Sequence, residues 1–466
     1  SAMQHHIMYT SNQAMAYRAM GDATIMSNNK LLYTDPDNPY DLPISILPEG
    51  GIYKRTDNWM KGYDIRPTIT WNKIFDGTHI VNVFAAMEIN SVDRNSSWFR
   101  GWGRQYENGD TPYFVYQVFK QHVEQGTNYY EVTKTRDRSI AFAGTGTYSY
   151  KGKYQLTGTY RYEGTNKLGK SRQARWIPTW NISAGWNAHE EDFFTNIQPT
   201  VSHLNLRLSY SLTADRGPSW VTNSLPVIKG KTGWRPHAGS REPSLYLDGL
   251  ENSELTYEKK HEFNAGLDVG FLDNRLNLIV DAFFRNNFDL IGRISVAGVG
   301  GVVDKYVNVA SMKSNGVEFT LNTRNIITPT FKWETNLTFA HIKNEITKLD
   351  NYSRVIDLVN GSGFAREGYA HRSLFSIPFM GLNEDGIPLF LDQDGNISPS
   401  GVYMQEREKI DYLIYEGTSE PKTTGGFGNM FTYKGFRLNV FMTYSFGNKI
   451  RLDPVFSSSY SDLDAL

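Results

Sequence analysis

The sequence predicts an all-β chain folded as an antiparallel transmembrane β-barrel, and three observations lead there. Apolar and polar residues alternate through long segments, Gly/Asn/Asp turns join those segments in pairs, and tight and long connections take turns along the chain. The pattern is clearest in Lys260–Thr323. Across Lys260–Leu272, Phe263, Ala265, Leu267, Val269 and Phe271 share one face, while Glu262, Asn264, Gly266, Asp268 and Gly270 occupy the other. Asp273-Asn274 turns the chain, and Arg275–Arg285 alternates again through Leu276, Leu278, Val280, Ala282 and Phe284. A third run, Gly316–Thr323, sets Val317, Phe319 and Leu321 opposite Glu318, Thr320 and Asn322. Period two around an Asn/Asp turn marks a β-hairpin.

Residues 1–61 read as an extended or loop segment, because Pro36, Pro39, Pro43 and Pro48 among Asn, Asp and Gly break regular structure. Residues 62–450 carry the strands and 451–466 a truncated loop. Tyr63–Phe75 and His79–Ile89 form the first hairpin, about Asp76-Gly77, and Ser91–Gln125 is a long connection dense in aromatics. Arg138–Tyr150 and Lys153–Glu163 turn at Lys151-Gly152. Ala174–Trp186 and Val201–Leu212 follow, joined by Asn187–Thr200 with a helical turn expected at Glu190–Phe194. In Val201–Leu212, Leu204, Leu206, Leu208 and Tyr210 oppose His203, Asn205, Arg207 and Ser209. After the central hairpin, Lys305–Thr323 and Phe331–His341 meet across a turn where Pro329 blocks strand continuation. Gly426–Tyr433 and Phe436–Phe446 close the series about Lys434-Gly435. Long connections are expected after Ile89, Glu163, Thr213, Phe288 and Lys343, so about twelve strands keep short turns at one end and large loops at the other.

Composition narrows the class. The 466 residues carry 48 Lys+Arg against 49 Asp+Glu, so no basic field exists to hold nucleic acid. No Cys is present, which excludes disulfides and thiolate metal sites. A mean hydropathy of −0.47 rules out a helical membrane protein, whereas a barrel needs only alternate apolar residues. Aromatics make up 14% of the chain, and Trp71, Tyr148, Tyr150, Trp176, Trp180, Trp186 and Tyr444 fall near strand ends, as interfacial girdles require. Alternation alone is equally well explained by a soluble sandwich with one solvated face. Strand length, the loop asymmetry and the end aromatics favour the membrane. Both ends read as cut: Ser1-Ala2-Met3 looks like a cloning remnant without a signal peptide after it, and Ser457–Leu466 is polar with no closing strand.

Catalytic signals are poor, and no enzyme is expected: no Gly-x-Ser-x-Gly, His-Glu-x-x-His, Walker or Rossmann pattern occurs. Asp392-x-Asp394-x-Asn396 begins like a calcium loop, but Ile397 and Tyr403 stand where Gly and Glu are needed, so a hairpin turn is the better reading. Glu190-Glu191-Asp192 reads as a solvated or helix N-terminal group, and His5-His6 as a terminal remnant. No metal or cofactor site emerges. The best substrate-binding candidate is Trp98, Phe99, Arg100, Trp102, Arg104 and Tyr106, since aromatic faces stack on sugars or clamp peptides and Arg adds donors. The plainer alternative is a loop packing on itself or on a partner. Trp220 and Trp234 are weaker candidates of the same kind. Arg161, Arg207, Asp268, Asp281 and Arg285, on polar strand faces, are expected to line the lumen.

Several segments in one order resemble a known family. Asn264-Ala-Gly266-Leu-Asp268-Val-Gly270-Phe-Leu-Asp-Asn274-Arg275-Leu276, Asn308–Phe319, and Gly425–Phe427 through Tyr444–Ile450 resemble barrel hairpins of the SusC/RagA-like TonB-dependent outer-membrane transporters. Lys153–Thr157, Ser183–Trp186 and Glu190–Phe194 are similar to the same family, with departures at Ala310 and Tyr257-Glu258. The resemblance implies a barrel of about 22 strands, of which this chain holds the middle and later part, the plug and last strands being absent. It further implies residence in the outer membrane of Bacteroidetes and uptake of oligosaccharides or peptides. A SusD-like surface lipoprotein would be the partner, with energy from TonB through the absent plug segment. Other readings of the residues are a different outer-membrane barrel, porin or adhesin, and a soluble all-β glycan-binding or hydrolytic protein.

Overall fold

The computed structural model describes residues 51–105, 108–109, 111–112, 129–169, 171–198, 200–217, 227–232, 243–298, 303–350, 353–361 and 363–452, with two-residue strands at Ile7–Met8, Leu32–Tyr33 and Ile44–Ser45. One antiparallel sheet holds the two-residue strands Ile7–Met8 and Thr111–Pro112 and thirteen longer strands: β1 (Gly51–Ile65), β2 (Thr68–Phe75), β3 (His79–Gln105), β4 (Tyr130–Tyr150), β5 (Tyr154–Thr165), β6 (Trp176–Asn187), β7 (Val201–Asp215), β8 (Glu258–Phe271), β9 (Leu276–Ser295), β10 (Asp304–Ile327), β11 (Phe331–Leu349), β12 (Thr423–Tyr433) and β13 (Phe436–Phe446). From β3 onward each pairs with its neighbours in this series, the simplest meander, while β1 and β2 both pair with β3.

One column of the wall is made of two strands. Ile65 lies opposite Ile89 and Thr68 opposite Ala86, so β1 and β2 both lie along β3 and break only at Arg66-Pro67. Pro67 has no N–H for the ladder, and its carbonyl accepts from the Met87 N–H at 3.1 Å. Counted as one column, β1 and β2 bring the wall to about twelve, the number expected from the alternation of turns.

Tight turns gather at one end. Asp76 and Gly77 have φ of 48° and 66°, Lys151 and Gly152 53° and 72°, and Lys434 and Gly435 43° and 92°. Left-handed pairs of this kind twist a two-residue connection to match the strands it joins. The link between β6 and β7 is longer and carries two 3₁₀ turns, Ala188–Glu190 and Asp192–Asn196. Glu191 fastens it, accepting from Tyr154 Oη at 2.6 Å, Lys153 Nζ at 2.9 Å and Trp186 Nε1 at 3.3 Å. These donors, the Tyr154 hydroxyl foremost, hold the Glu191 carboxyl down at about 2.

At the other end the strands run farther than their alternation indicates. β3 continues to Gln105, β4 begins at Tyr130, and β9 and β10 extend to leave only residues 296–303 between them. The connection after β5 is likewise short, residues 166–175, including the helix Arg172–Arg175 capped by the Ser171 side chain. The long links expected after Ile89, Glu163 and Phe288 are therefore strand for much of their length or simply short. Strand pairing likewise reaches back to Gly51, so the boundary expected at residue 61 falls inside β1. In the β3 extension polar residues such as Asp93, Arg94, Asn95 and Ser96 stand on both faces, and on β9 and β10 Ile291 and Tyr306 pack against loop-end residues, so the simple period is lost while backbone pairing continues.

The two faces differ as the alternation requires. Leu206, Leu208 and Tyr210 on β7 are 39, 52 and 45% exposed, Leu156 and Tyr160 on β5 52% each, and Leu438 on β13 60%. No second layer covers this face among the described residues. Leu206 lies beside Leu267, which lies beside Val280 and then Phe319 and Phe339, a continuous apolar row around the wall. Aromatic pairs mark both margins: Trp333 on Phe431 (5.8 Å) near the turns, and Trp180 on Tyr210 (5.4 Å) toward the loops.

The buried clusters belong to the loop end. Leu168, Ile177, Leu255 and Tyr257 pack together and tie the β5–β6 link to the approach to β8, where Gly169 donates to the Leu255 carbonyl at 3.0 Å. Between β11 and β12 the chain folds on itself: Val355 and Leu358 of the helix Val355–Val359 pack with Phe375, Ile410 and Leu413. This unit carries small sheets, Ser373–Ser376 with Ile414–Thr418, and Phe379–Leu382 with Pro388–Leu391 and Ile397–Ser398.

Two outcomes test these assignments. Gly435→Val puts a β-branched residue at φ 92° and is expected to cost about 1–2 kcal/mol, read as a lower urea midpoint of the refolded protein. Because the Glu191 pKa lies below the ordinary 4.5, its stabilisation is fully present above about pH 4.5 and is lost as the pH falls through about 2. Glu191→Gln should therefore lower the melting temperature at neutral pH and leave it nearly unchanged at pH 2.

Candidate functional site

The candidate residues lie on the polar face, where ion pairs span neighbouring and next-neighbouring strands. Arg161 of β5 donates through Nη2 to Glu88 Oε2 of β3 at 2.7 Å and through Nε to Glu163 Oε2 at 2.8 Å. It crosses β4 above Ala141 and Ala143, whose short side chains leave the path open. Arg216 adds a donor to Glu163 at 3.3 Å. Arg207 of β7 faces Gly266 of β8, which faces Asp281 of β9, and the Arg207 Nη2 to Asp281 Oδ1 distance is 3.5 Å. A Cβ on Gly266 would stand 2.7 Å from Asp281 Oδ1 and 3.0 Å from Arg207 Nη2. Only a glycine there admits this close approach.

The other two candidates are engaged as well. Asp268 accepts from His203 Nε2 at 2.7 Å, and His203 Nδ1 meets Asn274 Oδ1 at 2.9 Å, binding the polar face to the β8–β9 turn. Arg285 has Nε and Nη2 at 3.1 and 3.3 Å from the Glu262 carboxylate, which also meets Lys260 Nζ at 2.7 Å. Its guanidinium lies 3.7 Å from the centre of the buried Phe283 ring. All five candidates thus share one face, and each is already paired. Glu262 and His203 read from the sequence as polar-face residues, but none of the partners Glu88, Glu163, Glu262 and His203 stood out as a site residue. Each sits at an alternate, polar position of its strand, but which carboxylate meets which cation depends on register.

The aromatic group is not the loop cluster expected. Trp98, Phe99 and Arg100 lie on β3, whose pairing with β4 runs unbroken from His79 to Phe99. Strand alternation puts Trp98 and Arg100 on the face of Glu88 and Asn90, and Phe99 on the opposite face. Trp98 Nε1 donates to Glu131 Oε2 at 3.1 Å, and the Arg100 guanidinium lies 5.8 Å from the Trp98 ring centre. Phe99 meets Tyr129 edge-on at 6.5 Å. Trp102 and Arg104 continue β3 opposite Ile52 and Gly51. Tyr106, Trp220, Trp234 and His5-His6 lie outside the described residues.

The acidic turn serves its own hairpin. Asp392 Oδ1 accepts from the Asp394 and Asn396 N–H groups at 2.9 and 2.8 Å, and Asp394 pairs with Lys409 Nζ at 2.6 Å. The backbone donors, Asn396 first, hold the Asp392 carboxyl below the usual range. Among the described residues no group of three or more His, Asp or Glu could hold a metal ion.

Geometry ranks the pairs. The Arg207–Asp281 pair is long and its side chains are 49 and 31% exposed. A double-mutant cycle to Ala should give a coupling of about 0.5 kcal/mol or less. The cycle at Arg285 and Glu262 should give about 1 kcal/mol, since this pair is closer and its side chains are only 32 and 19% exposed. Urea midpoints of the folded protein in micelles measure both, and equal couplings would refute the ranking.

Known proteins share this wall. The family model for the TonB dependent receptor-like β-barrel matches residues 9–465. The chain is 26% identical over 440 residues to TonB-dependent receptor P3 of Formosa agariphila, covering 88% of this chain and 41% of that protein. It is 28% identical over 340 residues to TonB-dependent receptor SusC of Bacteroides thetaiotaomicron, covering 68% and 32%. The chain thus spans less than half the length of these relatives. Among solved structures, the RagAB peptide importer in its 'closed-closed' state superposes with a TM-score of 0.68 at 19% identity, over 89% of this chain and 44% of that one. A match along nearly the whole chain, with the same fold, makes this an outer-membrane β-barrel chain of the TonB dependent receptor-like family.

Proposed function

We propose that this chain builds barrel wall in a TonB-dependent transporter that imports oligosaccharides or peptides, working with a SusD-like surface lipoprotein and powered by TonB through a plug. The observation that carries the reading is the two-faced wall: an uncovered apolar row outside and a ladder of paired charges inside, in a chain of this family. The relatives' names point the same way, since one is SusC and one structure is a peptide importer.

The role of the chain is gated passage, with no bond made or broken. Arg161, Arg207, Asp268, Asp281 and Arg285 line the lumen in this reading. Being paired, they form a polar, nearly neutral lining that neither traps a neutral sugar nor repels a zwitterionic peptide. Trp98 and Arg100, far along β3 toward the loops, supply a stacking face at the mouth, with Glu131 holding the indole in place.

Deleting the gene and growing the cells on defined oligosaccharide or peptide mixtures tests the function. Loss of growth on one class, restored by the full-length gene and not by a copy lacking the TonB-engaging segment, is expected. Unchanged growth on both classes would overturn it. At the mouth, Trp98→Ala should weaken binding of the imported substrate about tenfold, as loss of one aromatic stacking contact allows, measured by calorimetry on the full-length protein in detergent.

A further inference from the structure

The outward face holds a second feature. A groove of about 570 Å³ opens where β7 to β11 leave the apolar band. Its lower part is aromatic: Tyr210, Phe263 and Phe284, the last 60% exposed. Its upper part carries Lys313 of β10 and Lys343 of β11, both exposed. Register places them close together. Lys343 lies opposite Asn315, two residues from Lys313, so the two are diagonal neighbours on one face, about 7–8 Å apart at the backbone.

Height along the wall decides what these lysines meet. Lys313 pairs with Asn286, ten residues beyond Leu276 at the turn end of β9. Ten residues at ~3.4 Å each, tilted ~40°, rise about 26 Å, the height of the apolar band. The lysines therefore stand at the headgroup level of the loop-side leaflet, directly above rings at acyl-chain depth. Other lysines at this rim are neutralised: Lys259 by Asp289 at 2.7 Å and Lys348 by Asp350 at 2.7 Å. Among the described residues, Lys313 and Lys343 have no ion-pair partner. Glu345 lies across from Lys313 on the same face without forming an ion pair with it. His261 completes the groove, stacked between Tyr210 and Phe288.

We propose that this groove seats a phosphate-bearing lipid of the outer leaflet, with its phosphate between Lys313 and Lys343 and its acyl chains along Tyr210, Phe263 and Phe284. Two cations beside hydrocarbon call for an anion that is itself amphiphilic, which charge and apolar surface together select. Glu345, beside the lysines, suits the hydroxyl or amide donors of a sugar headgroup. The proposal rests on the loop end facing outward, as in the functional reading above, but on no property of the imported substrate.

The test uses the full-length protein in detergent, with bisphosphorylated lipid A and its dephosphorylated form as probes and native mass spectrometry as readout. The wild type is expected to retain the phosphorylated lipid, and K313Q/K343Q to bind it roughly thirtyfold more weakly, about 1 kcal/mol per lysine. K313R/K343R should keep most of the binding, and inorganic phosphate should not displace the lipid. Equal retention by the wild type and the Gln pair, equal binding of the two lipids by the wild type, or displacement by inorganic phosphate would each overturn the proposal. Should the Gln pair fail to fold, the two-lipid comparison on the wild type decides alone. Nutrient uptake is read separately, so failure here would not count against transport, nor would failure of transport count against the lipid.

Discussion

Backbone hydrogen bonding is the constraint from which the rest of this structure follows. A wall with one face toward hydrocarbon has no water on that side to satisfy an N–H or C=O, so every strand must be paired along its length. Neighbours meet this for the interior strands, while β13 pairs with β12 alone among the described residues, and where Pro67 removes a donor the column breaks into β1 and β2 and resumes on the same partner, β3. Pairing then sets the side chains: a period of two sends Leu206, Leu208 and Tyr210 one way and Arg207 the other, with no freedom to rotate. The lipid-facing row and the ion-pair ladder are two consequences of one ladder.

Small residues decide how the polar face is wired. Cations and carboxylates in this wall often sit two strands apart, and a side chain of ordinary size between them would block the reach. Ala141 and Ala143 under Arg161, and Gly266 under Arg207, leave that space free. The polar face is consequently a mesh, in which β3 is tied to β5 and β7 to β9 in addition to the backbone ladder. Each pair is weak on its own because its side chains are partly wet. Together they orient the long Arg side chains, which would otherwise be free to sweep over the polar face.

Much of the wall was legible in the residues. Alternation located the strands around Lys260–Leu272 and Arg275–Arg285, and the Asp76-Gly77 and Lys434-Gly435 turns fell where left-handed φ values occur. The extensions of β3, β4 and β9 were not legible. Residues such as Asp93, Arg94, Asn95 and Ser96 have water on both sides, so neither face demands an apolar side chain and the period vanishes. That is why Trp98, Phe99 and Arg100 read as one loop cluster when the strand sends Phe99 away from its neighbours. The lysine pair on the outer wall escaped notice for a related reason. Lys313 and Lys343 are 30 residues apart in the chain, and only register makes them adjacent.

The chain by itself determined its class: which residues turn, which alternate, and so which side of each strand meets lipid, because these depend on neighbours one or two positions away. The tertiary structure alone decided which strand lies beside which at what offset. Register is a long-range quantity, set by the summed fit of both faces and the turns. It selects Glu88 for Arg161, Asp281 for Arg207, and the company that Lys343 keeps with Lys313.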